Sequence, residues 1–522
     1  MWLTQILHRN RQCFPDRTAV IDAERSVTWA EFDDRTARLA RGLAALGVSR
    51  GDRVAVLSVD RIEVLEAYFA LARLGALFVP LNHSLTADEV GGMVRRTGVG
   101  VILGEAALLE RHPELPVRLR IAVDGAEYAE LTAPAADGEA AGADGGDAFR
   151  FPDVADSDLA AILHTSATTG RAKGVTVDHG SFRGISLGWL ASSAAPDGMV
   201  LLNCCPLYHG SMTISLTYMA AGATIVLLPG FTPQRALAAV EEHRATHLWL
   251  VPQMLRFLLR SKGVTSTDLS SVREVLYGAA PMPVELYAEA AERLGCGFRH
   301  VYGMTEVGGP FVTLGPDEHP VPGDGPELPE VLPAGRVIPG MSARVLDPEG
   351  GELPRGAVGE VTVRGPGLMR GYWNNPAATE EITTEGWIRT GDLGFVDDEG
   401  RIHLVDRCKD LILRAGQNVY PAEIERALRT HPLVRDAAVI GVPDPDYGEV
   451  PLAYVVTGPE GATDGAGAGS GSEAGGQRVT RAELTAHLAE RLAPYKRPRH
   501  VEFIDEVPRN PAGKILKKLL RA

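Results

Sequence analysis

The sequence predicts an α/β protein. A large N-terminal domain, two parallel-type α/β subdomains followed by a small β-barrel, is hinged to a small α+β C-terminal domain. Three observations predict this. The chain has 522 residues, more than one ordinary core holds, so two to four domains are expected. Short apolar runs alternate with helix-period segments before residue 335, and strands spaced by helices imply parallel pairing. From residue 335 onward the pattern changes to short strands between Gly and Pro turns, which suggests an antiparallel barrel or sheet.

The elements follow in order. The opening Met-Trp-Leu-Thr-Gln-Ile-Leu reads as an amphipathic helix, without the long apolar core and small-residue cleavage site of a signal peptide. Residues 28–46 carry apolar side chains at helical spacing and stop at Gly47. Residues 53–58 and 77–81 read as buried strands around a helix over 63–74 that closes at Gly75. The Ala-, Gly- and Asp-rich stretch 132–147 reads as a surface loop. A strand over 159–164 runs into a hydroxyl-rich loop, and strand patterns recur at 200–206, 223–228, 246–251, 275–281 and 298–306. In the β-rich part, strands are expected at 343–346, 359–364, 387–390, 393–396 and 402–405.

Residues 406–425 then read as a charged link, an apolar triplet, a Gly-Gln-Asn turn and a helix start at Pro421, whose missing N–H suits a first helical turn. This run divides a domain over 1–405 from one over 406–522 and reads as a hinge. Beyond it come a helix at 423–430, strands at 434–442 and 451–456, a Gly/Ala/Ser-rich insert at 458–477, a helix at 481–492, a strand at 501–504 and a basic tail.

Composition narrows the function. Hydrophobic residues make up 45% and charged residues 23%, ordinary for a soluble globular protein. The net charge of −15 speaks against generic binding to nucleic acid or anionic membrane. No apolar run is long enough for membrane insertion. The five cysteines (Cys13, Cys204, Cys205, Cys296, Cys408) show no metal-ligand spacing, and their odd number fits reduced thiols in a cytoplasm. Each reads as a buried small hydrophobe.

Several segments carry chemistry. The loop from Thr165 to Lys173 offers backbone N–H groups, hydroxyls and an ammonium after a strand, the groups that hold phosphates. It is not the P-loop of nucleotide triphosphatases, because two residues separate Gly170 from Lys173; a plain Ser/Thr-rich turn is the alternative. His209 lies in a turn after a strand, where a structural role is common. Gly278-Ala279-Ala280 and Tyr302-Gly303-Met304-Thr305-Glu306 end two strands, where ligands bind in open α/β sheets. Asp392 sits at a Gly-flanked turn, exposed as a ligand or capping the turn. Lys514 follows a Pro/Gly loop able to extend.

Taken together and in this order, these motifs resemble an acyl-CoA synthetase of the adenylate-forming superfamily over essentially the whole chain. The resemblance implies ATP, Mg²⁺ and coenzyme A as cofactors and a small carboxylic acid as partner. It implies that Thr165, Ser166, Thr168, Thr169, Gly170 and Lys173 grip the β and γ phosphates. Gly278, Ala279 and Ala280 would line the adenine pocket, with Tyr302, Gly303 and Met304 beside it. Thr305 would touch the α-phosphate and Glu306 would help hold Mg²⁺. Asp392 and Arg407 would take the ribose. Lys409 falls on the family's hinge, Gly416 on the pantetheine channel, Lys514 on the adenylation lysine and His209 on a gate between acyl pocket and thiol tunnel. A cytoplasmic enzyme of secondary metabolism fits the high Ala, Gly and Arg usage; a homodimer is left open.

Two departures stand out. Ala167 and Ala172 occupy positions where the family usually has Gly and Pro, and the pantetheine loop reads Ala415-Gly416-Gln417-Asn418 in place of the common Gly-Gly-Glu. A methyl in a tight phosphate turn restricts the backbone, so weak adenylation beside competent thioesterification is an alternative. So is loading of a carrier protein. The candidate pocket walls at 209–216, 249–254, 278–280 and 301–310 hold no cation, which suggests a bulky apolar or aromatic monocarboxylate.

Overall fold

The computed structural model describes residues 2–134, 150–165, 172–193, 197–208, 210–321, 328–458, 479–509 and 515–521. The chain divides into two compact units, Met1–Ala343 with Val363–Ile388, and Arg344–Thr362 with Arg389–Ala522. The sequence pattern alone set a division at 405/406; the compact units instead group much of the β-rich part with the C-terminal residues.

The first unit is built on two sheets. In one, Thr18–Ile21, Thr224–Leu227, Val200–Asn203, His247–Leu250, Glu274–Gly278 and Gly297–Met304 run parallel, with antiparallel strands at both edges. In the other, Leu119–Ala122, Val101–Gly104, Arg53–Leu57, Leu77–Leu81 and Leu159–His164 are parallel; Gly174–Asp178 and Gly371–Tyr372 then add antiparallel. The central strands are buried on both faces, which is why they read as continuous apolar runs rather than alternating ones.

Local signals explain the helices. Thr28 and Glu31 form a capping box at the start of Trp29–Ala45. Gly75 closes Ile62–Leu74 in the left-handed conformation, at φ 66°. Asp178 caps His179–Ser192 by accepting the Ser181 N–H at 2.7 Å, and Arg370 pairs with the same carboxylate.

The second unit has its own sheet and core. Val434–Asp444 pairs antiparallel with Gly448–Thr457, flanked by Ile412–Arg414, Gln417–Val419 and His500–Phe503. Pro421–Arg429 and Arg481–Ala489 pack apolar faces, Ile424, Leu428, Leu484 and Leu488 among them, against that sheet. Trp387–Val396 and Ile402–Arg407 form an antiparallel pair within a further five-stranded sheet.

Three expectations change. The Gly-Gln-Asn turn lies one residue earlier: Ala415 and Gly416 form a two-residue hairpin turn with φ of 49° and 78°, and Gln417 and Asn418 are already strand. The strands at 387–390 and 393–396 are one continuous strand, so Asp392 lies within a ladder and not at a turn. Cys13 is exposed and Cys296 and Cys408 are half-buried, while Cys204 and Cys205 are buried as expected. The stretches 135–149 and 459–478, covering most of the expected loop and insert, lie outside the described residues.

Candidate active site

Thr165 and Lys173 are the two described ends of the hydroxyl-rich loop. The Thr165 N–H donates to the Lys173 carbonyl at 3.0 Å, and the Lys173 N–H donates back to the Thr165 hydroxyl at 3.3 Å. These bonds close the base of the loop. Ser166, Ala167, Thr168, Thr169 and Gly170 lie outside the described residues, as do His209 and Lys514. Ala172 packs against the apolar core of the seven-stranded sheet. At His164, next to Thr165, burial pulls the imidazole pKa down to about 4, so its ring stays neutral.

Gly278 and Val301 are register partners on adjacent parallel strands. A Cβ on Gly278 would collide with the Val301 carbonyl, so the strand end requires glycine. The chain then turns through Ala279 at φ 64°, a left-handed conformation that costs a non-glycine residue of order 1 kcal/mol. Gly303 is equally restricted, because a Cβ would meet the Gly309 carbonyl across the antiparallel pair. The Tyr302 ring packs 5.0 Å from that of Phe311. Thr305 and Glu306 open a single 3₁₀ turn that ends at Gly308, φ 67°.

Glu306 is anchored at two points. Its carbonyl accepts the Met369 N–H at 2.9 Å, and its Oε1 accepts the Tyr372 hydroxyl at 2.7 Å. The ammonium of Lys173 lies 4.7 Å from the centroid of the same Tyr372 ring. Burial and the neighbouring Glu306 raise the Tyr372 phenol, which therefore stays a donor. Lys173 and Glu306, far apart in sequence, thus meet on one tyrosine that the motif reading did not single out. A signal was present: Gly371-Tyr372 precedes Asn375-Pro376, a helix N-cap with Pro in its first turn. Nothing in the sequence paired that tyrosine with residue 306.

Among the candidate wall residues, Ser211 accepts the Trp249 indole N–H at 3.0 Å, and Thr213 donates to the Gly308 carbonyl at 2.9 Å. Both hydroxyls are engaged, and the buried Met212, Ile214, Val251 and Val307 give the walls their apolar character. The turn before the helix Ser211–Ala220 is tied by a buried acid. Asp60 accepts the Leu207 N–H at 2.9 Å, and burial raises its carboxyl to about 7.

In the second unit, Asp392 and Arg407 are register partners on neighbouring strands, with Nε 3.1 Å from Oδ1. Asp392 is 8% exposed, and its N–H donates to the Thr390 hydroxyl at 3.1 Å. Lys409 sits in a 3₁₀ turn, Cys408–Asp410; desolvation lowers its ammonium against the opposing pull of Asp410. Asp406 accepts the Arg407 and Ala422 N–H groups, each at 2.8 Å, and so ties the hinge run to the helix Pro421–Arg429. The sequence reading missed that anchor. Gly416 sits at its hairpin tip with nothing within 4 Å of a built Cβ.

A single carboxylate, Glu306, with no hydrogen bond on its second oxygen among the described residues, fits Mg²⁺, which usually takes one or two carboxylates and otherwise substrate phosphates and water. Among the described residues no group of three or more His, Cys, Asp or Glu forms a dedicated metal cage, and no helix is long and apolar enough to cross a membrane.

Comparison with known proteins covers nearly the whole chain. The family model described as AMP-binding enzyme matches residues 7–373, and that of the AMP-binding enzyme C-terminal domain matches residues 423–514. A fatty acid–[acyl-carrier-protein] ligase, ScoC of Streptomyces coeruleorubidus, is 36% identical over 99% of this chain and 96% of its own length. A feruloyl-CoA synthase from an Amycolatopsis species is 36% identical over 98% of this chain and 97% of its own. Among solved structures, the o-succinylbenzoate CoA synthetase of Bacillus subtilis with its acyl-adenylate intermediate superposes with a TM-score of 0.82, at 29% identity, over 99% of this chain and 98% of that one. The chain belongs to the AMP-binding enzyme family, as an acyl-CoA synthetase of the adenylate-forming superfamily.

Proposed function

We propose that the protein is an ATP-dependent carboxylate–CoA ligase acting on a bulky apolar or aromatic acid through an acyl-adenylate. The observation that carries this reading is the meeting of Lys173 and Glu306 on Tyr372, which gathers on one side chain a cation suited to phosphate and a carboxylate suited to a metal. The full-length likeness to CoA synthetases supports it.

A carboxylate is a poor acyl donor because its leaving group would be oxide. In the first step a carboxylate oxygen attacks the α-phosphorus of ATP, the bond to the bridging oxygen breaks, and pyrophosphate leaves. In the second, the thiol sulfur attacks the acyl carbonyl, AMP leaves, and the thiol proton passes to solvent. Lys173 and the hydroxyls of Thr165, Ser166, Thr168 and Thr169, with Gly170, grip the terminal phosphates. Gly278, Ala279, Ala280 and Tyr302 receive adenine, Asp392 and Arg407 the ribose. Thr305 and Lys514 steady the charge that grows on the α-phosphate. Glu306 would hold Mg²⁺ accompanying the nucleotide, and the bound ion would supply further neutralisation of that charge. The 406–522 part reorients about Lys409 between steps, withdrawing Lys514 and presenting Gly416 to the pantetheine arm, with His209 at the gate. The reading places the enzyme in the cytoplasm, where ATP and CoA are supplied.

The likeness to a carrier-protein ligase favours a second acceptor, the phosphopantetheine thiol of a carrier protein. Incubation with ATP, Mg²⁺ and a panel of acids, with CoA or a pantetheinylated carrier, tests both readings. Thioester on CoA supports the first; thioester on the carrier alone supports the second.

A further inference from the structure

Tyr372 touches both charged residues assigned to the nucleotide, and its own position is fixed from several sides. It pairs in register with Val175 on the strand that begins just after Lys173. Its N–H donates to the Thr379 hydroxyl at 2.9 Å, its carbonyl accepts the Asn375 N–H at 3.1 Å, and the Trp373 N–H donates to the Gly174 carbonyl at 2.7 Å. The preceding Gly371 adopts φ 128°, and its carbonyl accepts the Thr176 hydroxyl at 2.7 Å. The main chain is therefore pinned, and the side chain, 8% exposed, has little room to change rotamer. A phenol hydrogen prefers the ring plane, so a fixed ring also fixes where Oε1 of Glu306 must sit.

The two contacts differ in kind. The hydroxyl makes a charge-assisted hydrogen bond to a carboxylate, which is short and directional. The ring holds the ammonium through its quadrupole, which is weaker and less directional. Both charges rest on the same side chain, so without it the ammonium and the carboxylate would be free to pair directly. Such a pair would consume the groups that phosphates and metal need.

We propose that Tyr372 is a positioning residue that keeps Lys173 and Glu306 apart and aimed: its hydroxyl fixes the metal-binding carboxylate and its ring holds the phosphate-binding ammonium. This rests on the ligase reading above. Tyr372 touches no reacting atom, so its removal changes the Mg²⁺-dependent part of nucleotide binding and the adenylation step. The thiol step, which follows departure of pyrophosphate, is spared.

Two substitutions separate the contacts. Tyr372→Phe keeps the ring and removes the hydroxyl; Tyr372→Leu removes both. ATP binding is measured by calorimetry with Mg²⁺ and with a chelator, alongside pyrophosphate release, thioester formation from supplied acyl-adenylate, and the thermal midpoint. For Tyr372→Phe the expected result is about a tenfold fall in the Mg²⁺ enhancement of ATP affinity, unchanged chelated binding and unchanged thioester formation. For Tyr372→Leu chelated ATP binding weakens as well, because the ammonium is released to Glu306, and Phe at this position restores it. An unchanged Mg²⁺ enhancement in Tyr372→Phe, or equal loss of both half-reactions with a lowered midpoint, overturns the inference. A wild-type protein that binds ATP in neither buffer overturns the ligase reading beneath it.

Discussion

Arg407 and Asp392 face each other as register partners across two antiparallel strands, with Nε 3.1 Å from Oδ1. The pair is made within one sheet, so the carboxylate is aimed before any nucleotide arrives. Asp392→Ala should raise the KM for ATP by about 30-fold, the worth of roughly 2 kcal/mol of charged hydrogen bonding. Arg407 is more exposed than its partner, so Arg407→Ala should cost less. The double substitution should cost less than the sum of the two, because the two side chains pair with each other and are proposed to hold one ligand. Steady-state kinetics with varied ATP measures all three.

Asp60 gives a pH signature. Burial raises its carboxyl to about 7, with the Leu207 N–H opposing, and Cys204, Cys205 and Tyr208 all feel its charge. The folded value lies above the unfolded one. The stabilisation from the neutral acid is therefore complete below the ordinary carboxylate range and is lost as pH rises through about 7. The slope is about 1.4 kcal/mol per pH unit within that window. Asp60→Asn keeps an acceptor for Leu207 and removes the charge. Its stability relative to wild type should improve by about 2 kcal/mol between pH 5.5 and pH 8. Urea unfolding at the two pH values tests this; a constant difference would contradict it.

Ala167 and Ala172 stand where the resemblance to the family implies Gly and Pro in the proposed phosphate loop. Ala167→Gly should raise the pyrophosphate-release rate several-fold, by widening backbone freedom at that position, and should leave thioester formation from supplied adenylate unchanged. Ala172→Pro should add to it if the residue's backbone already lies near φ −65°. Single-turnover measurements of each half-reaction read both effects.

Lys514 is assigned to adenylation alone. Lys514→Ala should lower adenylation by at least about 100-fold, the usual scale for removing a charge stabiliser of a transition state. Thioester formation from acyl-adenylate should persist. Equal loss of both steps would contradict the assigned role.

Much of this fold was legible because its signals are local. Thr28 and Glu31 mark a helix start, Gly75 a helix stop, and buried apolar runs the parallel strands. Asp392 was misplaced for a physical reason. Gly391 at φ 72° looks like a turn in sequence, yet Thr390 and Glu360 satisfy the backbone there and the strand continues. Tyr372 was missed because its meaning is long-range: Glu306 is 66 positions away, and only pairing of Gly371–Tyr372 with Gly174–Asp178 brings it beside Lys173. Asp406 likewise looked like part of a charged link and proved to anchor a helix start 16 residues on.

The central claim is that one chain both activates an acid with ATP and transfers it to a thiol. The most direct measurement is an acid panel assayed in parallel for acid-dependent pyrophosphate exchange and for CoA thioester. The account predicts that bulky apolar or aromatic acids give both signals, with AMP formed in equal amount to thioester. Acid-dependent pyrophosphate exchange with no thioester on CoA or carrier, or no signal with any acid, would contradict it.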